Sequence, residues 1–170
     1  MVCGVADSAW DAAARDLYAR FLSGEVSPEV MAAEFPPIWR FRSDSDPLSS
    51  DAAWRAMAEH AAYFVWASGQ PSGRRDRRPF RARQLFRGAT ADRRLGMSWT
   101  ANLDIARHFA RHRQPPGVDD GQVWVGVFAP SRLLAHLKDE GEYLVDAAGI
   151  DVQLWSLEDA GWLTRRRRGV

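Results

Sequence analysis

Three short pieces in the second half of this chain carry residue types that could do chemistry together: Leu85-Phe86-Arg87-Gly88, Gly96-Met97-Ser98-Trp99-Thr100 and Glu140-Gly141-Glu142-Tyr143-Leu144-Val145-Asp146. An arginine closes the first apolar run, a hydroxyl pair lies on the second, and two carboxylates lead into the third. A guanidinium can grip a phosphate oxygen pair with two charge-assisted hydrogen bonds. Gly88 has no Cβ, so a ligand could approach its backbone closely. A carboxylate can stabilise positive charge that develops in a transition state. The set therefore suits binding of an anion and reaction through a cation.

Each piece also has a plainer reading. Arg87 could form an ion pair at a strand end. Ser98 and Thr100 would share a face of an extended segment, with Trp99 opposite and in the core. They could also satisfy local backbone groups, with Thr100 capping the next helix. Asp139-Glu140-Gly141-Glu142 could be a solvated acidic turn, although a structural role alone would not require two repelling carboxylates bracketing one glycine.

The order and spacing of the three pieces resemble the Arg–Ser–Glu class of NAD-dependent mono-ADP-ribosyltransferases, over roughly the C-terminal half. The resemblance implies NAD as substrate and no metal. By that likeness Arg87 and Gly88 would hold the cofactor, the guanidinium on phosphate or ribose and the Gly88 backbone on the nicotinamide carboxamide. Ser98 would orient the catalytic glutamate, Glu142, with Thr100 supporting the site. Glu140 would bind or activate the acceptor, and 133–141 would be a short target-recognition loop. Phe109, Arg111 and Arg113 are further candidates for enclosing the cofactor, and the loop after them shows no clear aromatic to stack on nicotinamide. The implied acceptor is macromolecular, with protein arginine preferred and nucleic acid the alternative. Hydrolysis of NAD by water is another outcome of the same site. The likeness also suits a toxin or effector, with an antitoxin or inhibitor protein as partner.

The elements that must position these residues follow from patterning. Trp10, Ala14, Leu17, Tyr18 and Phe21 predict a helix over 8–22, capped by Ser8 or Asp7. Ser27-Pro28-Glu29 opens a second, short helix that Pro36-Pro37 should end. Ser50-Asp51 caps a longer one with Trp54, Met57, Ala58, Ala61, Phe64 and Val65 on its apolar face. After a breaker-rich loop at 69–73, strands are expected at 80–86, ending at Arg87, then at 97–100 and 123–128. A helix through Leu103, Ala106, Phe109 and Ala110, capped by Asn102 or Thr100, follows the second of these, and Pro130-Ser131 opens another short one. Tyr143–Val145 and Ile150–Trp155 read as two strands turning at Ala148-Gly149. The fold class is α+β, one domain over 1–170. A helical N-terminal layer, 1–73, would pack on a sheet-forming part, 79–157. By the resemblance, that sheet is a split antiparallel core of ADP-ribosyltransferase type.

Composition bounds the rest. The 170 residues are 46% hydrophobic, enough for one core and short of two. No run approaches the roughly 20 apolar residues of a membrane helix, so no membrane partner is expected. The acidic start does not read as a signal peptide. The single cysteine, Cys3, excludes an internal disulfide and a cysteine-based zinc cage. A cytoplasmic place is expected, with export by a non-classical route open. His108 and His112 have metal-compatible spacing, but no third ligand is evident and a surface pair is favoured. No glycine-rich dinucleotide fingerprint occurs, which disfavours a Rossmann-type oxidoreductase. A different class, a nucleic-acid-binding module, would use the cluster Arg74, Arg75, Arg77, Arg78, Arg81 and Arg83. With Lys138 the only lysine, a general coding bias toward arginine also accounts for such clusters.

Overall fold

Ser8, Ser27 and Ser50 each accept a hydrogen bond from a backbone N–H in the first turn of a helix, the local signal that starts helices. The helices are α1 (Ala9–Leu22), α2 (Pro28–Phe41) and α3 (Asp51–His60). The computed structural model describes residues 8–43, 47–67, 78–112 and 121–156. Cys3, the loop at 69–73, Arg74, Arg75, Arg77, Arg113, nearly all of the loop at 114–121 and Arg165–Arg168 lie outside them.

The remaining elements are β1 (Phe64–Trp66), β2 (Arg83–Ala89), β3 (Ser98–Thr100), α4 (Leu103–His112), β4 (Gln122–Phe128), β5 (Leu133–Leu137), β6 (Glu142–Val145) and β7 (Gln153–Leu154). The strands form one sheet in the order β1-β5-β6-β3-β2-β4-β7. The β1–β5 pair is parallel and the others are antiparallel, so the sheet is mixed rather than wholly antiparallel. Its two halves meet between β3 and β2 through a single register pair, Phe86 with Thr100. The domain is a mixed assembly of helices and sheet.

Several expectations are corrected. The second helix does not stop at Pro36-Pro37 but runs on to Phe41. A proline inside a helix costs about 3 kcal/mol. Here Phe35, Ile38 and Trp39 are all buried beside the prolines, and each such side chain returns about 1.5–3 kcal/mol. Burial of this face outweighs the lost hydrogen bonds. The third helix ends before Phe64 and Val65, which belong to β1. No glycine marks that stop, because Ala62 itself takes the left-handed conformation at φ 56°. The sheet therefore draws one strand from the part read as helical. Arg87 lies inside β2, which begins later than expected and continues through Gly88 and Ala89.

Leu133–Leu137, expected within a recognition loop, is strand β5, paired with β1 on one side and β6 on the other. Leu133, Leu134, Ala135 and Leu137 are buried. Apart from His136 the strand is apolar, which fits an interior position in the sheet. Finally, β6 and β7 do not pair with each other; β7 lies on the far edge, against β4.

Two cores hold the molecule. One joins α1, α2 and α3 to Phe64, Met97, Leu134, Ala135, Leu137 and Leu144. The other contains Leu85 and Phe128 from one half of the sheet and Trp99, Tyr143 and Val145 from the other. Asp146 pairs with Arg55 of α3 at 3.1 Å and also with Arg132. The last residue of the third sequence piece is thus a tie between helix and sheet. Among the described residues, no helix is long and apolar enough to cross a membrane.

Candidate active site

Strand alternation puts Ser98 and Thr100 on one face of β3, and the register sets Ser98 opposite Leu144 and Thr100 opposite Glu142. Ser98 and Glu142 are then diagonal neighbours on the same face, within side-chain reach. The Ser98 side chain lies by the Glu142 carboxyl and favours its ionised form, and Trp39 Nε1 donates to Glu142 Oε1 at 3.2 Å. Arg87 approaches from β2: Nη1 donates to the Ser98 carbonyl at 2.6 Å and Nε to the Arg93 carbonyl at 3.0 Å. Arg87, Ser98 and Glu142 are thereby brought together from three neighbouring strands, β2, β3 and β6.

These three residues line a cavity of about 740 Å³, within the roughly 300–1,000 Å³ of small-molecule sites. Its walls include the end of α2 (Trp39, Arg40, Arg42), the start of α3 (Asp51), β2 with Phe86 and Gly88, and α4 with Phe109. Of the residues singled out in the sequence, Arg87, Gly88, Ser98, Thr100, Phe109, Glu140 and Glu142 line it; Arg111 is not part of its wall, and Arg113 lies outside the described residues.

Their surroundings differ in kind. Burial pushes the Glu142 carboxyl above the usual carboxylate range, against the pull of the Ser98 and Trp39 donors and Arg42; Glu140 pushes the same way as burial. Burial lowers the Arg87 guanidinium to about 10, offset in part by Asp51 and Glu142 and reinforced by Arg93 and Arg42. Arg87 remains a cation at neutral pH. Arg42 lies over the Trp39 ring, 3.5 Å from its centroid, and bonds the Trp39 carbonyl. The cavity thus combines arginines, aromatic rings and a destabilised carboxylate.

Two glycines do different work here. A Cβ on Gly88 would lie 2.0 Å from the Ala106 carbonyl oxygen and 2.4 Å from the Ala110 nitrogen. Its missing side chain admits α4, a packing requirement that the sequence reading assigned to ligand approach. A Cβ on Gly96 would lie 2.5 Å from Arg87 Nη2 and 2.8 Å from Cζ. The space a side chain would take at residue 96 is filled by the Arg87 guanidinium.

Thr100 is buried. Its hydroxyl donates to the Gly141 carbonyl at 2.9 Å and accepts from the Asn102 N–H at 3.1 Å. It braces the turn that carries Glu140 and Glu142, where Gly141 is left-handed at φ 59°. Asn102 caps α4 through its side-chain oxygen. Trp99 is buried against Phe128, centroids 4.8 Å apart, and donates from Nε1 to the Gly96 carbonyl at 2.7 Å. Glu140 pairs with Arg40 Nε at 2.7 Å.

Trp39, Arg40, Arg42 and Asp51 were not singled out in the sequence. The run Trp39-Arg40-Phe41-Arg42, alternating aromatic and cation at the end of an apolar helix, was the available signal. His108 and His112 have ring centroids 4.8 Å apart, and the described residues contain no group of three or more metal-binding side chains. Arg78, Arg81 and Arg83 are exposed and are not part of the cavity wall.

No family model, curated protein or solved structure was found to match the chain.

Proposed function

We propose that this protein is an NAD-dependent mono-ADP-ribosyltransferase. The observation that carries the reading is the convergence of Arg87, Ser98 and Glu142 on one cavity of about 740 Å³, with Arg87 bound to the Ser98 carbonyl. The donor set fits a dinucleotide. Arg87, Arg42 and Arg93 supply cations for a pyrophosphate, and Trp39, Phe86 and Phe109 supply ring faces for flat bases.

In the reaction the bond between nicotinamide nitrogen and ribose C1′ breaks, and its electron pair leaves with neutral nicotinamide. Positive charge builds on the ribose. The Glu142 carboxylate, held by Trp39 and lying by Ser98, stabilises it. Glu142 must be ionised to do so, and burial resists ionisation, so the charge it gains a partner for is already destabilised. Glu140, on the same turn, faces the acceptor and takes the proton released when the acceptor attacks C1′. Protein arginine is the preferred acceptor, because a guanidinium pairs with a carboxylate at this position. Its place of action is taken to be the cytoplasm, where NAD is present, in the manner of a toxin or effector with an inhibitory partner. The ADP-ribosyltransferase type of fold belongs to the same proposal.

The test is chromatography of nicotinamide released from NAD by the purified protein. Slow release with water, accelerated by a small guanidine acceptor, is expected. Absence of release both alone and in a cell lysate would remove the reading.

A further inference from the structure

Glu140, the carboxylate assigned to the acceptor, is already paired with a guanidinium of the chain itself. Arg40 Nε lies 2.7 Å from Glu140 Oε1. The pair exists because α2 does not end at Pro36-Pro37: its continuation to Phe41 carries Arg40, in the last turn, to the cavity wall. The Arg40 guanidinium carbon lies 5.1 Å from the Phe41 ring centroid and 5.9 Å from that of Trp66 in β1, so ring faces as well as the carboxylate hold it. Arg42 and Arg87 are turned elsewhere, the first over the Trp39 ring and the second onto the Ser98 carbonyl. The Arg40 and Glu140 side chains are 33% and 31% exposed, so an incoming group can reach the pair from solvent.

We infer that Arg40 is a specificity-determining residue: it occupies the acceptor position at Glu140 as an internal competitor, and a guanidine acceptor enters by displacing it. The inference rests on the transferase reading above and narrows its substrate class. A cation tethered beside its partner competes at an effective concentration of about a millimolar or more. A free small guanidine meets that competition with one ion pair and nothing else. An arginine presented on a protein surface brings further contacts that offset the displacement, so the substrate class is arginine within a macromolecule. Water has no guanidinium to seat beside Glu140, and hydrolysis does not require Arg40 to leave. A partly exposed ion pair with two ring contacts is weak enough to exchange, favouring the held state of Arg40 by about two- to thirtyfold.

The experiment measures transfer from NAD to arginine methyl ester, with nicotinamide release in the same samples, for the wild-type chain, Arg40→Gln, Arg40→Met and Arg40→Lys. Both neutral variants remove the competing charge, and methionine keeps an unbranched stem against Phe41 and Trp66. Each variant is checked for folding by circular dichroism. In the neutral variants KM for the ester should fall by about two- to thirtyfold, and the ratio of transfer to hydrolysis at low ester should rise by the same factor. Arg40→Lys keeps a cation at Glu140 and should lie nearer the wild type. A merely structural role for Arg40 would lower turnover without improving KM for the acceptor. An ester KM unchanged or raised in a folded neutral variant, with nicotinamide still released, would overturn the competitor role and leave the transferase reading standing. No nicotinamide release by the wild type under any condition would overturn both.

Discussion

Replacing Glu142 by glutamine should cripple the reaction and stabilise the fold at once. The amide keeps acceptor oxygen for Ser98 and Trp39 but cannot carry the charge that the ribosyl cation needs. Loss of one such electrostatic partner costs about 10²–10³-fold in rate, and both hydrolysis and transfer should fall by that factor. Stability moves the other way because burial raises the Glu142 carboxyl above its ordinary value. The folded state then holds the proton more tightly than the unfolded state does. Between the two values unfolding releases a proton, so stability falls as pH rises through that window. The wild-type protein carries this penalty in full above the raised folded value and not at all below the unfolded one, near 4.3 for a free glutamate. Glu142→Gln should therefore melt higher than wild type at neutral pH, and the two should converge in acid. The wild-type rate should rise with pH on an acid limb above the usual glutamate range. A glutamine variant that melts lower at neutral pH and still turns over would contradict this role.

The second large effect separates two glycines eight residues apart in the chain. Gly88→Ala places a methyl 2.0 Å from one backbone atom of α4 and 2.4 Å from another. Backbone inside a helix cannot step aside, so α4 must shift off β2. Overpacking of this kind costs about 1–3 kcal/mol, occasionally more. Each kcal/mol lowers Tm by about 2–4 °C in a domain of this size. Gly96→Ala instead meets the end of a long side chain, the Arg87 guanidinium. The fold can yield there by moving the guanidinium away from the Ser98 carbonyl. Gly96→Ala should keep a Tm near wild type and bind NAD about ten- to a hundredfold more weakly, the equivalent of one charged hydrogen bond at about 1.5–3 kcal/mol. Thermal melts and NAD titrations of both variants decide it. Matching losses of Tm with normal NAD affinity for Gly96→Ala would show that residue 96 does not position Arg87.

Local chemistry made some of this architecture legible in the sequence. Ser8, Ser27, Ser50 and Asn102 mark helix starts because a cap is written in adjacent residues. The strand character of Ser98–Thr100 and Tyr143–Val145 followed from alternation and apolar runs. Elements fixed by distant partners were less readable. The continuation of α2 past Pro36-Pro37 depends on what Ile38 and Trp39 bury against, and β1 exists because β5 lies beside it. The apolar run of β5 was visible, but the family resemblance assigned it to a loop. At the site, the types and order of Arg87, Ser98 and Glu142 could be read from the chain. The contribution of Trp39, Arg40, Arg42 and Asp51 could not, since it arises where the helical layer meets the sheet. Gly88 carried an ambiguity that only tertiary contact resolves: both a ligand and a helix can require a missing Cβ.

The central claim is that this cavity binds NAD and that Arg87 holds it. Isothermal titration of NAD into the wild-type protein and into Arg87→Ala, at neutral pH and moderate salt, tests that claim most directly. Saturable binding to the wild type, lost in a folded Arg87→Ala variant, is the predicted result. No heat with the wild type at millimolar NAD, or equal affinity in the two proteins, would contradict it.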